Sequence, residues 1–324
     1  MSARKPDATA VTAAADGRAA PILAVGSVAL DAVRTPDELV VDTLGGSASY
    51  FALAAALFAP VRLVAVVGED LAPEYPALFR RRGVDLAGLQ VKPGRTFRWS
   101  GQYSGLRLES RVTLDTQLNV FAGFHPELPD GYRDSPIVFL GAIQPDLQVE
   151  VLDQARAVRF SACDTIKLWL DQDRAGLERL YRRVDAVFLS DEEAIQFSGE
   201  RFLPAAARAI LAYGPKVVVI KRGENGAILF TQGGMFVAPA MPLEAVRDPT
   251  GAGDAFAGGF LGALARAGDH GEAALRRAML YGNVLGSLAV EDFSVRGIVA
   301  AGSGEVERRL STLMRMISLD GEGR

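Results

Sequence analysis

The chain has 324 residues, 49% of them hydrophobic and 23% charged, and a formal net charge of −4. That is enough apolar material for a sizeable core and excludes wholesale disorder; with Lys and Arg scattered and no basic block, it also offers no general nucleic-acid surface. The single cysteine, Cys163, excludes an intrachain disulfide, as expected of a reducing compartment, and two distant histidines, His125 and His270, argue against a histidine metal site or a Ser-His triad.

Residues 1–20 read as a disordered leader, because Asp7 and Asp16 interrupt the alanines and leave no signal-peptide core. Short apolar runs then recur at 22–25, 63–67, 137–140, 186–189 and 217–220, separated by stretches of helical period. Such runs predict buried parallel strands joined by crossover helices. The apolar stretch at 51–67 is broken by Pro60 and Arg62 and falls short of the ~20 residues that span a bilayer. A cytoplasmic protein with no membrane partner is expected. The segment 96–120 departs from this rhythm: Phe97, Trp99 and Tyr103 alternate with Arg98, Ser100 and Gln102, and Val112 and Leu114 with Arg111 and Thr113. Period two with polar alternates marks strands covered on one face. It predicts a small antiparallel sheet, completed by residues from about 32–44, that serves as a lid over a pocket, as a dimer contact, or as both. The α/β rhythm resumes after Gly131 and closes with a helix over 304–317, so one domain is expected over 21–318 with a short tail at 319–324.

The stretch DPTGAGDAFAGGF, residues 248–260, raises the functional question. Pro249 disfavours helix at Asp248 and has no N–H of its own, so a loop feeds a helix here. Gly251, Ala252 and Gly253 then fall at the helix N-terminus, where backbone N–H groups lack partners and the dipole is positive. Without side chains at 251 and 253 an anion can reach those donors, and Asp254 beside it has a use if it meets a hydroxyl attacking that anion. An ordinary loop with Asp254 complementing the dipole is the plainer alternative. Other phosphate fingerprints fail: Phe256 stands where G-x-G-x-x-G needs glycine, and no Gly-Lys pair exists for a P-loop. Gly258, Gly259 and Gly262 are expected to allow close helix-to-sheet approach.

This stretch resembles the C-terminal signature of the PfkB/ribokinase family of sugar and nucleoside kinases. Gly45-Gly46-Ser47-Ala48-Ser49-Tyr50 resembles the family's N-terminal di-glycine motif, and Gly26 to Asp31 its first strand and substrate-holding aspartate. The resemblance implies a ribokinase-like three-layer α/β/α sandwich, with a mostly parallel central sheet and a small antiparallel β lid. It also implies an ATP-dependent phosphotransferase. Asp254 would be the general base, with Gly251, Ala252 and Gly253 as the anion hole, while Asp31, Gly45, Gly46 and Ser47 would bind substrate. Lys221, Gly223 and Gly226 match the nucleotide-phosphate turn, and Thr250 and Asn283 fall on the same cofactor side. Glu193 would organise Mg²⁺ through water, although Ser190 stands where the family has Asn, and Ser190 with Glu193 also spells a helix capping box. The family's monovalent-cation segment is replaced here by Val290 to Val295. Without a basic cluster near Gly45-Gly46, a sugar or nucleoside is expected over a sugar phosphate, while Arg98, Arg107 and Arg111 on the lid pull the other way. A homodimer through the lid is expected. A non-catalytic sugar or nucleotide sensor is the alternative from another class.

Overall fold

The computed structural model describes residues 19–318; the expected tail at 319–324, and all but Ala19 and Ala20 of the expected leader, lie outside the described residues. The chain begins with β1 (Ile22–Val25), β2 (Ala29–Arg34), β3 (Leu39–Gly45), α1 (Ser47–Ala55), β4 (Val61–Gly68), α2 (Glu74–Arg81), β5 (Val84–Lys92), β6 (Phe97–Ser104) and β7 (Ser110–Gln117). It continues with β8 (Ile137–Leu140), α3 (Pro145–Gln154), β9 (Phe160–Asp164), α4 (Lys167–Gln172), α5 (Arg174–Tyr181), β10 (Ala186–Ser190), α6 (Asp191–Ser198), α7 (Leu203–Leu211) and β11 (Val217–Lys221). The last elements are β12 (Ala227–Thr231), β13 (Gly234–Ala238), α8 (Ala252–Ala267), α9 (Glu272–Val290), α10 (Arg296–Ala300) and α11 (Ser303–Ile317).

All five apolar runs become strands of one nine-stranded sheet, ordered β13-β12-β11-β10-β9-β8-β1-β4-β5. Pairing is parallel from β11 to β5, and only the β11–β12 and β12–β13 pairings are antiparallel. Because side chains alternate across a strand, each central strand feeds two cores. Ile22 and Ala24 join the cluster containing α1, α8 and α9, whereas Leu23 and Val25 join the one containing α3, α5, α6 and α7. The result is the expected three-layer sandwich. Strand β9, sequence FSACD, is absent from the apolar runs because small and polar residues occupy it, yet all five of its residues are buried.

The glycines of α8 have a different partner from the one expected. A Cβ on Gly258 would press on the Phe51 carbonyl and Ala54 of α1, one on Gly259 would lie 2.7 Å from the Tyr281 carbonyl of α9, and one on Gly262 would meet Phe58. They permit close helix-to-helix approach, not helix-to-sheet, because α8 is flanked by α1 and α9 within its own layer.

A second sheet, ordered β3-β2-β6-β7, forms the lid. Its outer pairings are antiparallel as expected, but the central β2–β6 pairing is parallel. The chain passes through α1, β4, α2 and β5 before it returns with β6, so β6 re-enters the lid in the direction of β2. Val33, Tyr103 and Phe293 form the small core beneath this sheet, and Phe97 stacks on Phe121 with ring centroids 5.2 Å apart. Val112 and Leu114, expected on a covered face, are 55% and 54% exposed, because β7 is an edge strand that no other element covers. The register aligns Leu39 with Arg34, Gln102 and Val112, so Leu39 and Val112 lie on the face opposite Val33 and Tyr103.

Candidate active site

In an open parallel sheet, ligands gather at the carboxyl ends of the strands, and the charged residues of this chain do the same. Strand β9 ends on Asp164, β10 on Ser190 and β11 on Lys221, and register sets Ser190 opposite Lys221. Helix α6 follows at once: Ser190 Oγ accepts from the Glu193 amide, at 3.2 Å, and Glu193 Oε2 accepts from the Ser190 amide, at 2.7 Å. The capping box is therefore formed, and it holds the Glu193 carboxylate at the strand ends. Burial pushes that carboxyl up, with Lys221 opposing and Asp164 adding to the shift.

Helix α8 begins here too. Gly251 is its N-cap, with φ of 74°, a left-handed conformation that favours glycine; a Cβ there would also strike the Tyr50 ring. No side chain among the described residues caps the helix; the Ala252 amide donates to the Pro249 carbonyl at 3.4 Å, while the Gly251 and Gly253 amides stay available. A Cβ on Gly253 would lie 2.9 Å from Lys221 Nζ, which puts the ammonium against the first turn. Asp254 is half-buried in that turn, and its carboxyl is pushed up to about 7, first by loss of solvent and then by Asp164, with Lys221 opposing and Glu193 adding.

On the opposite flank, Asp31 is buried in β2 with Oδ1 lacking any hydrogen-bond partner. Its carboxyl is pushed up to about 8 by burial, then by Asp248 and Asp254, against a bond from the Gly46 amide. Gly45 lies hard against this carboxyl, where a Cβ would overlap it. Gly46 is the N-cap of α1, and Ser47 exchanges hydrogen bonds with Ser27, at 3.0 and 3.3 Å, which ties the β1–β2 loop to α1. Asp248 accepts from the Thr250 amide at 2.9 Å and from the Ser294 amide at 3.3 Å, and the Thr250 hydroxyl donates to Tyr103 of the lid at 3.1 Å.

The fold thus gathers Asp31, Gly45, Glu193, Lys221, Thr250 and the head of α8, which the sequence spreads over more than two hundred positions. Gly223 and Gly226 bracket the turn after β11; a Cβ at Gly223 would meet open space. Asn283 stands apart, its amide donating to the carbonyls of Ala238, at 3.3 Å, and Pro239, at 2.9 Å. Sequence reasoning assigned no role to Asp164, Asp248 or Tyr50. A polar residue closing a buried strand is the signal that could have found Asp164.

A mostly parallel sheet with these groups at its carboxyl edge, beneath a four-stranded lid, is the ribokinase-like class of α/β fold. The nucleoside kinase of Burkholderia thailandensis, solved with inosine, superimposes with a TM-score of 0.74 at 22% identity, over 90% of this chain and 97% of that one. Fructokinase of Vibrio cholerae, solved with fructose, ADP and calcium, gives 0.76 at 19% identity, over 91% and 100%. The chain belongs to the pfkB family of carbohydrate kinases, whose family model matches residues 130–299. The cytidine kinase of Thermococcus kodakarensis is 32% identical over 252 residues, which cover 76% of this chain and 88% of that protein. This protein is accordingly a PfkB-type sugar or nucleoside kinase.

Proposed function

We propose that the protein transfers the γ-phosphoryl group of ATP to a hydroxyl of a small, unphosphorylated sugar or sugar-containing substrate, with Asp254 as general base and the 251–253 amides as the anion hole. The observation that carries this reading is Asp254: a half-buried carboxyl in the first turn of an uncapped helix, pushed up to about 7 and so poised to take a proton near neutral pH. In a loose phosphoryl-transfer transition state the protein positions groups and stabilises charge. Asp31 holds the acceptor hydroxyls, Gly45 leaves room for its carboxyl, and the open amides at the head of α8 receive the equatorial phosphoryl oxygens. Closure of the lid over the site excludes water.

The open space at Gly223 and the uncapped helix fit a nucleotide's phosphate chain. Among the described residues no cluster of three or more His, Cys, Asp or Glu is arranged as a metal cage. Mg²⁺ arriving with ATP asks for only one or two carboxylates and keeps several waters, which Glu193 fits. Mg²⁺ so held would neutralise phosphate charge.

Two of the three lid arginines are engaged by carboxylates, which favours an unphosphorylated acceptor, whereas Arg111 bonds to Tyr103. Arg98 pairs with Asp42 and Asp70, and Arg107 with Glu224 at 2.6 Å, while the acceptor flank carries the acidic side chains Asp31 and Asp248, which offer a second phosphate no cation. A nucleoside acceptor is the second reading, favoured by the 32% identity to a cytidine kinase. The exposed Leu39 and Val112, on the lid face away from the site, are the surface through which two copies would pair.

The test is ATP consumption with Mg²⁺ against a panel of sugars, polyols, nucleosides and sugar phosphates. The Asp254→Asn variant is expected to lose about 10²–10⁴-fold in turnover while keeping ATP affinity. Binding without turnover across the panel would replace the kinase reading with that of a sensor.

A further inference from the structure

Lys221 occupies an unusual electrostatic position. A helix N-terminus carries roughly half a positive charge and favours anions, yet this ammonium lies against the first turn of α8. Its side chain is 18% exposed, and its carboxylate partner Asp164 is 4% exposed. An ammonium has three N–H donors, and among the described residues Asp164 is the hydrogen-bond partner of Nζ. The other donors of a largely buried cation are thus left open beside the Gly253 amide, which also lacks an acceptor among the described residues. Glu193 and Asp254 also face this ammonium, from α6 and α8. Burial works against its charge, but Asp164, then Glu193 and then Asp254 outweigh burial and hold it above the usual lysine range. It is a permanent cation, placed where it gains most when an anion arrives.

We propose that Lys221 is a catalytic residue whose open N–H donors meet the oxygens of the transferring phosphoryl group beside the 251–253 amides, and that Asp164 is the positioning residue that aims it. The inference rests on the phosphotransfer reading above. In that step the bond from the γ-phosphorus to the bridging oxygen breaks and ADP leaves with its electron pair. A bond from the acceptor oxygen to phosphorus forms, the acceptor proton passes to Asp254, and Lys221 keeps its protons throughout. The α8 amides bring only partial charge to a site already holding Asp164, Glu193 and Asp254, so a full cation there offsets the repulsion that an incoming polyphosphate meets.

The experiment compares wild type with Lys221→Met, Lys221→Arg, Asp164→Asn and the double variant Lys221→Met/Asp164→Asn. It measures kcat, acceptor KM and calorimetric affinity for ADP and for ADP with aluminium fluoride, all with Mg²⁺. Lys221→Met is expected to lower kcat by about 10²–10³-fold, the scale of one transition-state donor. Acceptor KM and ADP affinity should stay within about threefold, and the extra tightness of the aluminium fluoride complex should disappear. Lys221→Arg should restore part of both. The double variant removes Lys221 and its hydrogen-bonded partner together, so neither is left buried without the other, and it keeps the test alive if Lys221→Met does not fold. It should remain as slow as Lys221→Met predicts. Recovery of kcat in the double variant would reduce Lys221 to a counter-ion for Asp164 and overturn the proposal, as would an unchanged aluminium fluoride complex in Lys221→Met. A wild type that turns over no acceptor, yet binds the aluminium fluoride complex through Lys221, would count against the acceptor reading alone. Turnover lost in Asp254→Asn but intact in Lys221→Met would count against this proposal alone.

Discussion

The two flanks of the site, the proposed phosphoryl side and the proposed acceptor side, differ in how their charge is balanced. On the phosphoryl side, Asp164, Glu193 and Asp254 surround one ammonium and abut the positive end of α8. On the acceptor side, Asp31 and Asp248 face each other with tyrosines nearby; Asp31 is pushed up to about 8, burial first and Asp248 next. The first arrangement suits a polyanion, because its cation and amides are preorganised. The second suits neutral hydroxyls, which can exchange hydrogen bonds with buried carboxyl groups. Both are costly to fold, since carboxyls removed from water and outnumbering any cation beside them resist ionisation.

The sharpest way to break this contrast is Asp31→Asn. Asp31 carries its proton near neutral pH, so its hydrogen bond to the acceptor joins neutral groups and contributes about 0.5–1.5 kcal/mol; kcat/KM for the acceptor should fall roughly twofold to tenfold while ADP affinity holds. Stability should move the other way. With a folded pKa of about 8 against 3.8 for the ordinary carboxyl, native Asp31 retains a proton that the unfolded chain releases between these values. The wild type therefore loses stability as pH rises through that window. Melting curves should place the Asn variant above wild type at pH near 8 and close to it near pH 4; an advantage at low pH instead would contradict the burial argument.

Next in size is Gly258→Ala, which leaves both flanks' charges alone and tests the scaffold that sets their spacing. Alanine gains about 1 kcal/mol in helix propensity, but its Cβ must displace the Phe51 carbonyl or Ala54, an overpacking cost of about 1–3 kcal/mol. A Tm lowered by a few degrees is expected, and a raised Tm would show that α1 and α8 can separate freely. The smallest effect belongs to Arg107→Ala, which removes the ion pair between the lid hairpin and Glu224 after β11. Both side chains are well exposed, at 70% and 60%, so the pair contributes at most about 1 kcal/mol. KM for ATP should change by less than about fivefold and Tm by nothing measurable.

What the sequence disclosed follows the same division between local and assembled features. The head of α8 was legible because Pro249, Gly251, Gly253 and Asp254 are contiguous, and their backbone chemistry needs no partner to be read. The Lys221–Asp164 pair was not, because it joins residues 57 positions apart, and only strand order brings β9 within reach of β11. Asp31 was legible as a residue but not as a buried one, since its environment comes from Gly45, Asp248 and Asp254. Gly258 signalled close approach without naming α1 as the partner. Period two in the lid marked Val112 and Leu114 as one-sided, but a pattern cannot say that an edge strand has nothing over it.

The central claim is that Asp254 is the base, and the pH dependence of kcat/KM in wild type, with saturating Mg²⁺, tests it most directly. The profile should rise with pH as Asp254 ionises, reach half its height near 7 and level off above. Activity that stays flat down to about pH 5, well below the raised value yet above an ordinary aspartate, would contradict the account.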